Sequence, residues 1–113
     1  MATKTITIST YKNTRSAFSE LKNLVFGWVK PDNKYDIVVE SSFGSFISLD
    51  TWLEKIDFKK LLEVLRVYFD YFSEWWFYSD PDEVIINLTI NDKYLTLKLE
   101  CYVVKFIMKI EKV

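Results

Sequence analysis

Residues 83–110 read EVIINLTINDKYLTLKLECYVVKFIMKI, with two apolar/polar alternating runs either side of Asn91, Asp92 and Lys93. Successive strand side chains point to opposite faces. Val84, Ile86, Leu88 and Ile90 therefore share one face, and Leu95, Leu97, Leu99 and Cys101 share one face of the next strand. A polar turn between two such runs makes a β-hairpin. Beyond Cys101 the apolar series slips by one position to Val104, Phe106, Met108 and Ile110. That phase change demands a bulge, a tight turn without the usual glycine, or one long strand that exchanges its buried face.

Upstream, LDTWLEKIDFKKLLEVLRVYFDYFSEWWFYSD (49–80) changes to a helical period. Asp50 can cap a short helix carrying Leu53 and Ile56, and Asp57 a longer one from Phe58 to about Phe77. The two could also be one bent helix. Before them, YDIVVESSFGSFIS (35–48) offers two short strands around Ser42, Phe43 and Gly44. In NTRSAFSELKNLVFGWV (13–29), Phe18, Leu21, Leu24, Val25 and Trp28 recur at helical spacing, with Thr14 or Ser16 at the start and Lys30-Pro31 as the stop. TKTITIST (3–10) reads as a strand burying Ile6 and Ile8. The order is strand, helix, two strands, helix or helix pair, then two or three strands. This predicts an α+β fold, an antiparallel or mixed sheet of about five strands covered by two or three helices. With 113 residues and no linker, 1–113 should form a single compact domain.

Half of the residues are hydrophobic and 18% aromatic, against 2 glycines and 2 prolines, so the chain should fold. It has no histidine and one cysteine, Cys101. This removes imidazole bases, His-containing metal and haem sites, and any intrachain disulfide. No catalytic or cofactor-binding residue is expected, and the chain is read as a non-enzyme with no cofactor. Cys101, in phase with Leu95, Leu97 and Leu99, reads as a buried, inert thiol. The turn acids Asp80, Asp82 and Glu83 lack the ordered ligand set of a calcium loop and read as a solvated turn, so no metal is expected. No charged start leads into an apolar run, and no segment has the length of a membrane span. A cytoplasmic protein without membrane contact is the expectation, inside the host cell if it is viral.

Charge is uneven. Residues 1–30 carry five basic side chains against one acidic, residues 31–83 five against twelve, and residues 84–113 five against three. The acidic middle contains YFDYFSEWWFY (68–78), eight aromatics in eleven positions. On a helix, Phe58, Leu61, Leu62, Leu65, Phe69, Phe72 and Trp76 form an inward stripe and Glu63, Arg66, Asp70 and Glu74 a polar one. Tyr68, Tyr71, Trp75 and Phe77 fall on the flanks. They either complete the core or form a dimer or partner interface, for which tyrosine and tryptophan are suited. Asp70, Glu74, Asp80, Asp82 and Glu83 around them would repel phosphate, so a protein partner is favoured and nucleic acid disfavoured. Lys98, Lys105, Lys109 and Lys112 could form a modest basic patch, or a solvated edge that discourages strand aggregation.

The succession of an amphipathic helix, KYDIVVESSFGSFISLDTWLEKI, EWWFYSD, EVIINLTI, YLTLKLECYVV and FIMKIEKV resembles a family of small proteins from archaeal rod-shaped and filamentous viruses. That family includes an inhibitor of type I-D CRISPR effector complexes. The resemblance covers residues 15–112, and its most specific feature is Trp75-Trp76 followed by alternating strands. It implies a compact, usually dimeric α+β protein that binds a large effector subunit through an acidic surface and blocks DNA interference without enzymatic chemistry. Asp70, Glu74, Asp80, Asp82 and Glu83 would form that surface, binding a host protein or protein complex. The chain departs from the family in having no histidine, an added N-terminal strand, and no clear polar turn between its last two strands. The alternatives are an immunity protein or nuclease inhibitor, whose carboxylates occupy a basic site, and a small homodimeric viral structural or accessory protein.

Overall fold

The computed structural model describes residues 4–10, 14–43, 46–78, 84–101 and 104–113. Strand β1 (Lys4–Thr10) leads to helix α1 (Thr14–Trp28), then strands β2 (Tyr35–Phe43) and β3 (Phe46–Ile56). Helix α2 (Phe58–Tyr78) follows, and strands β4 (Val84–Ile90), β5 (Tyr94–Cys101) and β6 (Val104–Lys112) complete the chain. The six strands among the described residues form one sheet in the order β1-β4-β5-β6-β2-β3, every neighbouring pair antiparallel. The α+β expectation holds, and its antiparallel option is the one adopted.

This order makes β1 and β2 parallel to each other, with α1 as the crossover, and β3 and β4 parallel, with α2 as the crossover. The two crossovers traverse the sheet in opposite directions between strands of opposite polarity. A right-handed connection in each case places both helices on the same face. One apolar cluster accordingly joins both helices to a single side of the sheet: Phe18, Leu21 and Val25 from α1, Leu61, Leu65, Phe69 and Phe72 from α2, and Ile37, Leu88, Leu97 and Met108 from the strands. Phe69 receives the rings of Phe18 and Phe26 at 5.8 and 5.6 Å, joining the helices. Phe106 receives Tyr68 and Phe72 at 5.9 and 4.0 Å, joining α2 to the sheet.

The phase change falls between two separate antiparallel strands, with Cys101 and Val104 paired directly, and not within one long strand that exchanges its buried face. Opposed residues share a face, so odd positions of β5 and even positions of β6 point inward together. At the preceding turn, the Asn91 side-chain oxygen accepts the backbone N–H groups of Lys93 and Tyr94 at 2.8 and 2.7 Å. This local bonding explains why asparagine suits the position.

One element differs in kind. Residues 50–56, expected as a short helix behind an Asp50 cap, belong to β3. Leu53 pairs with Ile37 and Trp52 with Val38, and the register shifts between Ile37 and Tyr35, where Ile56 is the partner. The extra residue on β3 makes a bulge at Lys55, whose φ is 53°. Its N–H donates to Asp36 Oδ1 at 2.8 Å. The true helix cap is Asp57, whose Oδ1 accepts the Lys60 N–H at 2.8 Å.

Candidate protein-interaction surfaces

The inward side of α2 is wider than one row of residues. Tyr68, placed above on a flank that either completes the core or forms an interface, is 4% exposed, so the core alternative holds for it. It stands three positions beyond Leu65 and four before Phe72, so it falls on the same buried side. Its ring stacks on Phe72, and its hydroxyl shares a hydrogen bond with the Thr51 hydroxyl on β3. Tyr68 is therefore a core residue and leaves the interface set.

Tyr71 keeps its place on the surface at 46% exposed, with Val67 one turn earlier at 67%. Residues four apart on a helix are neighbours, so these two side chains form one apolar strip. Glu63, Arg66 and Asp70 are exposed on the same outer side, and Lys60 reaches Glu63 at 3.6 Å. The backbone of α2 includes Glu74, Trp75, Trp76 and Phe77, whose side chains lie outside the described residues. Asp80, Asp82 and Glu83 lie wholly outside them, as does the Cys101 side chain. Of the expected acidic and aromatic set, the structure thus brings Asp70 and Tyr71 together on a helical surface.

With both helices on one side, no element among the described residues covers the other side of the sheet. Its middle row runs Thr5, Thr89, Thr96, Lys109, Val38, Trp52 through the strand registers. Lys98, Lys105 and Lys109 are exposed on this side, but acids are interleaved with them. Glu100 pairs with Lys105 across the strands, and Glu111 pairs with Asp36. A shallow groove of about 250 Å³ is bounded by Val38, Tyr94, Thr96 and Lys109, with Asp36 and Glu111 beside it. Mixed charge of this kind gives no continuous track for phosphates.

Lys112 departs from the other lysines. It lies on the helix side, its ammonium 4.4 Å from the centre of the Trp28 ring, and Trp28 Nε1 donates to the Asn91 carbonyl at 2.7 Å. Burial, then repulsion from Lys30, hold its pKa below the ordinary lysine value, with Asp92 acting in the opposite sense.

Sequence reasoning missed Trp52. It is 73% exposed, the most open large apolar side chain among the described residues. Val38 lies directly across from it, and Glu54, two positions along β3, is also exposed. The signal was present in LDTWLEK: Leu49, Thr51 and Leu53 alternate with Asp50, Trp52 and Glu54 at the period of a strand.

Among the described residues no group of three or more His, Cys, Asp or Glu could hold a metal ion, and no helix is long and apolar enough to cross a membrane. Comparisons of the chain with protein-family models, with curated proteins and with solved structures gave no match.

Proposed function

We propose that this chain acts by binding a protein, as a non-enzymatic viral inhibitor of a host effector complex, through a surface that mixes carboxylates with exposed aromatic rings. The observation that carries the reading is the α2 strip, where Val67 and Tyr71 are exposed beside Asp70 and Glu63. Monomeric surfaces expose apolar side chains singly without consequence. Two adjacent ones framed by acids on a helix that also holds the core provide a rigid contact area, and tyrosine gives large area at small conformational loss. The composition supports the same reading, because a chain without histidine is poorly equipped for common acid–base chemistry. The partner class, a type I-D CRISPR effector, comes from the sequence resemblance.

The test is co-migration of the purified chain with a type I-D effector complex on gel filtration, together with interference against a target plasmid. The expected result is a stable complex and lost interference. Tyr71→Ser combined with Val67→Lys should weaken it about tenfold or more, as at an interface hot spot, with an unchanged fold. No co-migration together with intact interference would remove the inhibitor reading. A homodimer dissociated by the same substitutions would place the strip at a self-interface.

A further inference from the structure

We propose that the free edge of β3 is a strand-addition site for an extended, lysine- or arginine-bearing segment of a protein partner. The inference deepens the protein-binding reading and rests on it. β3 spans Phe46–Ile56, 11 residues, and among the described residues β2 is its only neighbour in the sheet. Alternate backbone N–H and C=O groups of such a strand point away from the sheet, ready to pair with another chain. Proteins commonly blunt such an edge with lysine, proline, a bulge or a covering element. Here register shifts fall towards both ends, between Ile47 and Leu49 and at Lys55, and the run Leu49–Leu53 between them remains regular.

The side chains beside that edge select the occupant. Trp52 stands 73% exposed on the open face, with Val38 across from it and Asp36, Glu40 and Glu54 at the neighbouring positions of that face. Glu40 and Glu54 form no ion pair among the described residues. Lys55 stands at the bulge at the C-terminal end of β3, and the next lysines of this face, Lys105 and Lys109, lie on β6, on the far side of β2 from the edge. An incoming strand therefore meets an indole ring flanked by carboxylates. A cation over the ring and between the acids is the complementary group, and alternate positions of an extended segment would deliver it while backbone bonds supply affinity. A second copy of this chain would set the same carboxylates against one another: pairing β3 with β3 about Trp52 places Asp50 opposite Glu54. Phosphate would be repelled.

Peptides of about six residues, matched to the regular run of the edge, test the assignment: alternating Lys and Val, alternating Glu and Val, and the Lys-Val peptide N-methylated on the amides of one edge. Fluorescence anisotropy reads binding, and amide hydrogen exchange reads its location. The Lys-Val peptide should bind, slow exchange along β3, and lose about tenfold in affinity with either Trp52→Ser or the pair Glu40→Gln and Glu54→Gln. The Glu-Val and N-methylated peptides should bind at least about tenfold more weakly. Equal binding of the methylated and unmethylated basic peptides, slowed exchange elsewhere than β3, or slowed β3 exchange that rises with protein concentration alone would each overturn the proposal. The same variants go into the effector co-migration assay. Failure of the peptides beside an intact effector complex rejects the edge site alone. Failure of the unmodified chain to bind the effector rejects that partner, whatever the peptides do.

Discussion

Replacing Tyr35 by phenylalanine removes one oxygen from a side chain with no solvent exposure and leaves its ring in place. The hydroxyl accepts the Lys30 N–H at 2.7 Å and donates to the Lys30 carbonyl at 2.8 Å, closing the segment between α1 and β2. The ring itself packs 5.9 Å from Trp28 and should stay there. An intramolecular hydrogen bond contributes about 0.5–1.5 kcal/mol net, so two give about 1–3 kcal/mol. Lys30 is exposed, so water can reach part of what is vacated, and the expected loss is about 1–2 kcal/mol. With a urea slope of about 2 kcal/mol per molar, the unfolding midpoint should fall by about 0.5–1 M at unchanged slope. Circular dichroism during urea titration measures this. Tyr94→Phe, at a half-exposed ring, serves as the control and should change stability by less than about 0.5 kcal/mol. If both variants shift the midpoint alike, water replaces the Tyr35 hydroxyl without cost and the reasoning fails.

Three further outcomes follow from the backbone and one cation. Gly27 is exposed within α1 and a Cβ built there meets nothing within 4 Å, so Gly27→Ala should stabilise by about 0.5–1 kcal/mol in the same titration. At Lys55, with φ at 53°, Gly should match or exceed the native stability, while the β-branched Lys55→Val should lose about 1 kcal/mol or more. A melt in which Val equals Lys would show that the bulge rearranges freely. The Lys112 ammonium should titrate below the ordinary value of 10.5, followed by NMR of its side-chain carbon resonances. Between the folded pKa and 10.5 the unfolded chain binds more protons, so this group's contribution to stability rises with pH across that interval. Lys30→Gln should move the midpoint upward and Asp92→Asn downward.

Local chemistry was readable where one short segment settles it. Asp57 followed by Phe58, Leu61 and Leu65 defines a helix start without help from the rest of the chain, and Asn91 defines a turn through its own side chain. Residues 50–56 were ambiguous for a physical reason. The bulge at Lys55 returns Ile56 to the half-buried side three positions after Leu53, and that spacing imitates a helix. Only pairing with β2 decides the matter, and it is a tertiary fact. Whether Tyr68 joins the core or an interface stayed open in the sequence because the width of the buried helical stripe depends on how Phe106 and Thr51 approach it. Alternation sets Trp52 on the face opposite Leu53 but does not identify the neighbours of a strand, so that this face is left open follows only from the strand order.

That order also bears on how the chain reaches its native state during synthesis. β1 finds its partner in β4, with Lys4 opposite Ile90, and β2 needs β6 to connect it to the rest of the sheet. Before β4 emerges from the ribosome, the β2–β3 hairpin is the only sheet contact available among the described strands, and α1 and α2 have no complete sheet to lie on. Such dependence on distant pairings slows folding and prolongs exposure of apolar surface. Assembly must wait for β6, which closes two interleaved halves into one sheet.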